Sequence, residues 1–309
     1  MQAFPNPGCF DMRSLIPFLT QAHRWLALLT APVLLLIILS GLVLAFKPVV
    51  ESGARPPVDV ASLSRALEQA DPGHKAGVMS LSSDGTRFVL SARGTGAMGE
   101  FDAQSGARVG AAGFDLFGLA RNLHTNLLVG AGWLVTLTTS VTVILFLSGF
   151  LLGWRRLRNT LSGWHAGLGW LAWPLAALTP VTGLMMAFHL GTASLPYYEA
   201  GRPLPLVKVI EIASQQVDLS KLAQVRTFRG GAVMLTVQDE PRAALYLVTS
   251  AGELLRSGGP GWVRMLHEGT WAGAFSGLFT FMSTLPLLGL LLTGLLTWWR
   301  RHRLLNAAL

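Results

Sequence analysis

The 309-residue chain contains one cysteine, Cys9, and only 13% of its residues are charged. A lone thiol excludes an internal disulfide, a cysteine-ligated iron–sulfur cluster and a C-x-x-C-H covalent haem site. Soluble domains carry about a quarter charged residues. The shortage here excludes an ordinary cytosolic enzyme, and a 51% hydrophobic share excludes a disordered chain. Acidic residues are the scarcer sign, 16 against 24 Lys and Arg, for a formal net charge of +8. Such an excess ordinarily points to nucleic acid, so the placement of the charges has to be settled first.

Four long apolar runs, 25–46, 127–154, 167–188 and 271–299, have no Asp, Glu, Lys or Arg inside them. Each reaches the roughly 20 residues needed to cross a bilayer. The first is too long for a signal-peptide core and reads as a retained span. Arg155, Arg156 and Arg158 follow the second run, and Arg300, Arg301 and Arg303 follow the fourth. Short loops rich in Arg stay in the cytoplasm, which puts both termini inside. Seven of the eight net charges are then cytoplasmic, beside anionic lipid headgroups, and no nucleic-acid partner is implied. The expected fold is a mainly α membrane protein, a four-helix transmembrane bundle carrying two small α+β modules. Its parts are a cytoplasmic tail 1–22, helix 23–46, module 47–122, helix 123–154, basic loop 155–164, helix 165–189, module 190–265, helix 266–299 and basic tail 300–309. In a Gram-negative bacterium this is an inner-membrane protein with periplasmic modules.

The chain also aligns with itself at an offset of about 142 residues. Ser40-Gly41-Leu42 through Phe46-Lys47 matches Thr182-Gly183-Leu184 through Phe188-His189, and Ser148-Gly149-Phe150 through Arg156 matches Thr293-Gly294-Leu295 through Arg301. Each half contains two spans, so the repeats insert in parallel. In the outer segments, 60–70 reads as an amphipathic helix and 78–81, 87–92 and 98–102 as strands. Residues 232–237 and 244–248 read as strands of the second module. Neither segment shows a catalytic triad, a G-x-S-x-G elbow or a metal-binding His/Cys cluster.

Four of the seven histidines recur with the repeat. His23 and His165 precede spans one and three at the inner side; His124 and His267 precede spans two and four at the outer side. Alternate helices of an up-and-down bundle are diagonal neighbours, so each pair would face across the axis at one depth. Two neutral imidazoles on opposite faces of a plane suit bis-His ligation of haem iron, in a slot between helices. An interfacial or capping role is the plainer account of any single one. Zinc is the rival metal, but its sites gather three or four close ligands. The spacing therefore points to two b-type haems, an inner one on His23 and His165 and an outer one on His124 and His267. His189 is an alternative outer ligand. Arg24 and Arg121 stand beside ligand candidates, where a guanidinium could hold a haem propionate; flanking positive charge accounts equally for Arg24. His74 and His302 have no counterpart in the repeat and read as solvated.

The motifs His23-Arg24-Trp25-Leu26, Leu123-His124, Trp164-His165-Ala166-Gly167-Leu168-Gly169 and Leu266-His267-Glu268-Gly269 resemble those of the PepSY-associated transmembrane family. Glu100-Phe101-Asp102-Ala103-Gln104-Ser105-Gly106 resembles part of a PepSY fold. That family includes ferric-siderophore reductases carrying two b-type haems. The resemblance implies an oxidoreductase passing electrons from a separate cytoplasmic or membrane donor to a ferric siderophore in the periplasm, releasing Fe(II). Two alternatives stay open: a haem conduit to a different acceptor, and a non-enzymatic protein that senses a ligand or peptide or carries a siderophore. Spans without interior ionisable residues argue against proton-coupled transport.

Overall fold

The computed structural model describes residues 12–51, 56–92, 96–111, 113–153, 158–191, 196–239, 242–257 and 259–306. Arg155 and Arg156 of the basic loop, and the first eleven residues of the N-terminal tail, lie outside the described residues. The chain runs α1 (Met12–Ala45), α2 (Lys47–Glu51), α3 (Val60–Ala70), β1 (Ala76–Leu81), β2 (Arg87–Ala92), β3 (Ala97–Asp102), β4 (Arg108–Gly110), α4 (Leu116–Asn126), α5 (Gly132–Leu151), α6 (Leu161–Leu171), α7 (Trp173–Ala187), α8 (Leu206–Ser214), β5 (Leu222–Thr227), β6 (Val233–Asp239), β7 (Arg242–Val248), β8 (Leu254–Ser257), α9 (Trp262–Glu268) and α10 (Gly273–Asn306). It divides into two compact units. One gathers the described parts of Met1–Leu44, Leu119–Phe188 and Phe279–Leu309; the other gathers Ala45–Gly118 and His189–Leu278.

In the first unit, small and branched residues let the helices meet. Ala31 and Ile38 of α1, Ala176 of α7, and Leu287 and Leu291 of α10 form one buried cluster, with Phe146 of α5 packed against it. Outward residues stay apolar: Leu29 is 75% exposed and Leu147 61%. Contiguous apolar exposure on this scale suits lipid rather than water. Hydroxyls within α5 are satisfied internally, as where Thr139 and Thr142 donate to the carbonyls of Val135 and Thr138. Leu15–Glu51, Gly132–Leu151 and Gly273–Arg303 are long and apolar enough to cross a membrane, and the pair α6–α7 makes a fourth crossing if counted as one span.

Three helix boundaries differ from the sequence expectation. Residues 165–189 are not one straight helix: α6 and α7 are bent by 70° at Ala172. Pro174 causes this, because it has no N–H for the Trp170 carbonyl and its ring crowds that carbonyl. His124 stands on its own short helix, since Leu127 (φ 52°), Leu128 (φ 64°) and Gly130 (φ 75°) turn the chain left-handed before α5. In the fourth run α9 is stopped by Gly269 in the left-handed region, which separates His267 from α10.

In the second unit the two expected small modules are a single eight-stranded antiparallel sheet of order β4-β3-β2-β1-β5-β6-β7-β8. Its halves join where β1 pairs with β5, Val78 opposite Arg226 and Ser80 opposite Gln224. There the Gln224 amide donates to Ser80 Oγ at 3.0 Å. Helices α3 and α8 cover one face. Asp59 caps α3 by accepting from Ala61 N and Ser62 N, which contributes about 1 kcal/mol. The spacing of Leu63, Ala66 and Leu67 turns one stripe of α3 inward, and Val209, Ile210 and Ala213 do the same for α8. They close on Met79, Phe88, Leu90, Leu222, Val225 and Leu235, all essentially without solvent exposure. Gly106 (φ 69°) lets the β3–β4 turn lie against α3, because a Cβ there would run into the Ala66 carbonyl.

Candidate functional site

The first unit holds three of the four end-placed histidines, and each presents Nδ1 to an oxygen of a neighbouring helix. His23 on α1 places Nδ1 2.8 Å from Ser148 Oγ on α5. That hydroxyl donates to the Leu145 carbonyl at 3.0 Å, leaving a lone pair to accept the His23 Nδ1–H. His165 on α6 lies 3.1 Å from both the Leu290 carbonyl and Thr293 Oγ1 of α10. His124 on α4 lies 2.9 Å from the Ile37 carbonyl and 3.2 Å from Ser40 Oγ of α1. A carbonyl can only accept, so Nδ1 carries the proton in these two rings as well. In the neutral ring such an Nδ1–H leaves Nε2 its lone pair, the tautomer a metal-ligating imidazole requires.

Glycine lines each approach and is needed most at His124. Each hydroxyl is followed by one, and a Cβ would stand 3.8 Å from His23 Cε1 at Gly149, 3.4 Å from His165 Cε1 at Gly294 and 3.1 Å from His124 Cε1 at Gly41. The sequence shows these Ser/Thr-Gly pairs only as repeat landmarks; their role as seats for imidazoles depends on helices remote in sequence. Their recurrence beside His motifs was the available signal.

His23 and His165 come together. Their ring centroids are 6.3 Å apart and the planes stand at 80°. Two metal–nitrogen bonds of about 2 Å, with a centroid roughly 1 Å behind each nitrogen, place a bis-imidazole pair about 6 Å apart. Both rings line a cavity of about 320 Å³. Its walls are Leu28, Leu34, Phe146, Leu291 and Leu295 with the aromatic rings of Phe150, Trp170, Trp173 and Trp298, and Arg24 and Arg301 are its cations. No carboxylate lines it. Among the described residues no three His, Cys, Asp or Glu gather, so the pair offers two ligands and no third. That donor set fits a planar macrocycle bringing its own four nitrogens better than a tetrahedral ion.

The remaining histidines are elsewhere. His124 does not line this cavity. His267, half-buried in the last turn of α9, belongs to the second unit. His189 is exposed with φ 57°, and His74 has φ 50°. His302, read from sequence as merely solvated, stacks on Trp298 with centroids 5.6 Å apart and planes at 5°.

The clear carboxyl shifts outside the spans belong to turns and to the Asp59 helix cap. A hydrogen bond from Ser82 Oγ, with others from Thr86, lowers Asp84 to about 2. Asp102 is lowered first by the Ser105 N–H. Both shape hairpins rather than a reaction centre.

The family model for the PepSY-associated TM region matches residues 20–301. No curated protein matches the chain.

Proposed function

The chain belongs to the PepSY-associated transmembrane family, and from that premise we propose that it is an inner-membrane di-haem b oxidoreductase. It would take electrons from a separate cytoplasmic or membrane donor and pass them to a periplasmic ferric siderophore, releasing Fe(II). The observation carrying this reading is the pair of imidazoles, 6.3 Å apart in an apolar cavity, each with Nδ1 facing an oxygen of a neighbouring helix.

His23 and His165 would hold the inner haem iron through Nε2, and the haem supplies reversible one-electron chemistry when bound. Ser148, Thr293 and the Leu290 carbonyl orient the rings, while Leu and aromatic walls exclude water and favour a large flat apolar ligand. A second haem on His124 and His267 rests on the sequence spacing. We read the two successions of a helix, four strands, a short His-bearing helix and a span as copies of one repeat. The four membrane crossings are read as a bundle with both termini cytoplasmic, which leaves the sheet on the periplasmic side.

Purification from haem-replete cells tests this directly. The expected protein is red, with about two b-type haems per chain by pyridine haemochrome. The reduced protein should be reoxidised by ferric chelates faster than by a chelate-free blank. A colourless folded protein would sink the haem reading. A red protein indifferent to ferric chelates would retain the haems and transfer the activity to another acceptor.

A further inference from the structure

We infer that Arg24 and Arg301 form a carboxylate-binding site in the His23–His165 cavity, one that would grip the acidic edge of a porphyrin; the inference rests on the haem reading above. Both guanidinium-bearing residues line that cavity, and none of its other lining residues is charged at neutral pH apart from what the histidines could carry. Arg24 Nε is buried and has no hydrogen-bond partner. Its Nη2 donates to Gln21 Oε1 at 3.2 Å, and its guanidinium carbon lies 5.7 Å from the centroid of the Trp25 ring. The fork is therefore held in place while one donor remains unused. A buried donor left unpaired is costly, and the cost disappears when an oxyanion enters.

Arg301 supplies a second cation from α10. It is exposed, and among the described residues it meets no carboxylate. Two guanidiniums suit two carboxylates on one edge of a flat ligand, because the planar fork matches a carboxylate in bidentate geometry. Arg24 adjoins His23 in the chain, and Arg301 lies eight residues, about 12 Å along a helix, beyond Thr293. The acidic edge would therefore lie toward the N-terminal part of α1 and the C-terminal end of α10. That fixes which way round the macrocycle enters. A lipid phosphate is the rival anion for these cations, and the experiment separates the two.

The full chain, prepared haem-free in neutral-lipid nanodiscs, is titrated with haemin and with haemin dimethyl ester, whose carboxylates are blocked. Wild type is expected to prefer haemin by about tenfold or more, the scale of a charge-assisted hydrogen bond. Arg24→Gln should abolish most of that preference while leaving the ester's affinity unchanged, and Arg24→Lys should restore only part of it. Arg301→Gln gives a second reading if the Arg24 variants fold poorly. Equal affinity of wild type for both porphyrins overturns the site and leaves the haem reading intact. A preference that survives both Gln substitutions also overturns it, because groups other than these arginines then read the carboxylates. Wild type that binds neither porphyrin overturns both.

Discussion

The two units handle their interiors in opposite ways. Around the sheet, side chains from two helices and the strands fill a continuous core, with Phe88, Leu63, Ile210 and Leu235 at zero exposure. Among the membrane helices the buried apolar cluster is small, the outer leucines are exposed, and two imidazoles line a cavity. The first arrangement closes on itself because burial of apolar surface from water drives it. The second gains no such drive from lipid, so the helices meet through small residues and hydrogen bonds. If the haem reading holds, stability and chemistry are segregated, and substitutions in the two regions should fail differently.

The largest contrast is between His165→Ala and Phe88→Ala. His165→Ala is expected to remove the inner haem entirely, seen as loss of about half the pyridine haemochrome signal, while circular dichroism keeps its sheet component. Phe88→Ala should do the reverse, keeping haem stoichiometry but destabilising the sheet unit by about 3–5 kcal/mol in denaturant unfolding. If Phe88→Ala bleached the protein at the temperature where it remains folded, the segregation would not hold.

A smaller effect is expected at the imidazole seats. Ser148→Ala leaves the His23 Nδ1–H without its acceptor, which costs about 1–3 kcal/mol and should appear as weaker haem retention and a shifted midpoint potential. Ser148→Thr should rescue both, whereas a purely structural serine would show no change in potential. Gly41→Ala should disturb His124, because the new Cβ would stand 3.1 Å from its ring. The same change at Gly149, where the separation is 3.8 Å, should be tolerated; equal responses of the visible spectrum would argue against the seats.

The smallest effect lies in the hairpins. Asp84 is held at about 2 by Ser82 and Thr86, below the usual carboxyl value of about 3.9. A depressed native value means the stabilisation is present above the unfolded value and is lost as pH falls through about 2. Carbon-detected NMR titration of Asp84 should find its midpoint near 2, and Asp84→Asn should flatten the acid dependence of sheet stability between roughly pH 4 and 2. A normal midpoint would remove this contribution.

Legibility in the sequence followed the range of the forces involved. Helix α3 was readable to the residue because Asp59 caps it and its apolar spacing is local. Strands β1 to β3 alternate clearly and were found within two residues. By contrast, α8, β4, β5 and β8 were missed: β4 and β8 have three and four residues, the β5 run Leu222-Ala223-Gln224-Val225-Arg226-Thr227 does not alternate, and the nine residues of α8 are too short a window for its period. The bend at Ala172 was passed over because membrane helices often accommodate proline, as α10 does at Pro286 without a break. All four candidate ligands stood out as residues because they recur with the internal repeat. Their hydrogen-bond partners were not, because Ser148 lies 125 residues from His23.

Composition and short-range pattern alone determined that this chain enters a membrane, which residues are too polar to be there without a reason, and where local helices and hairpins begin. Those properties depend on solvation and on neighbours within a few residues. Tertiary structure alone decided that two outer segments share one sheet and that His23 and His165 face one cavity. It also decided that Nδ1 of His23, His124 and His165 faces an oxygen of a neighbouring helix and that Arg24 keeps a buried donor unpaired. Pairings of that kind join groups more than eighty residues apart, and no local preference encodes them.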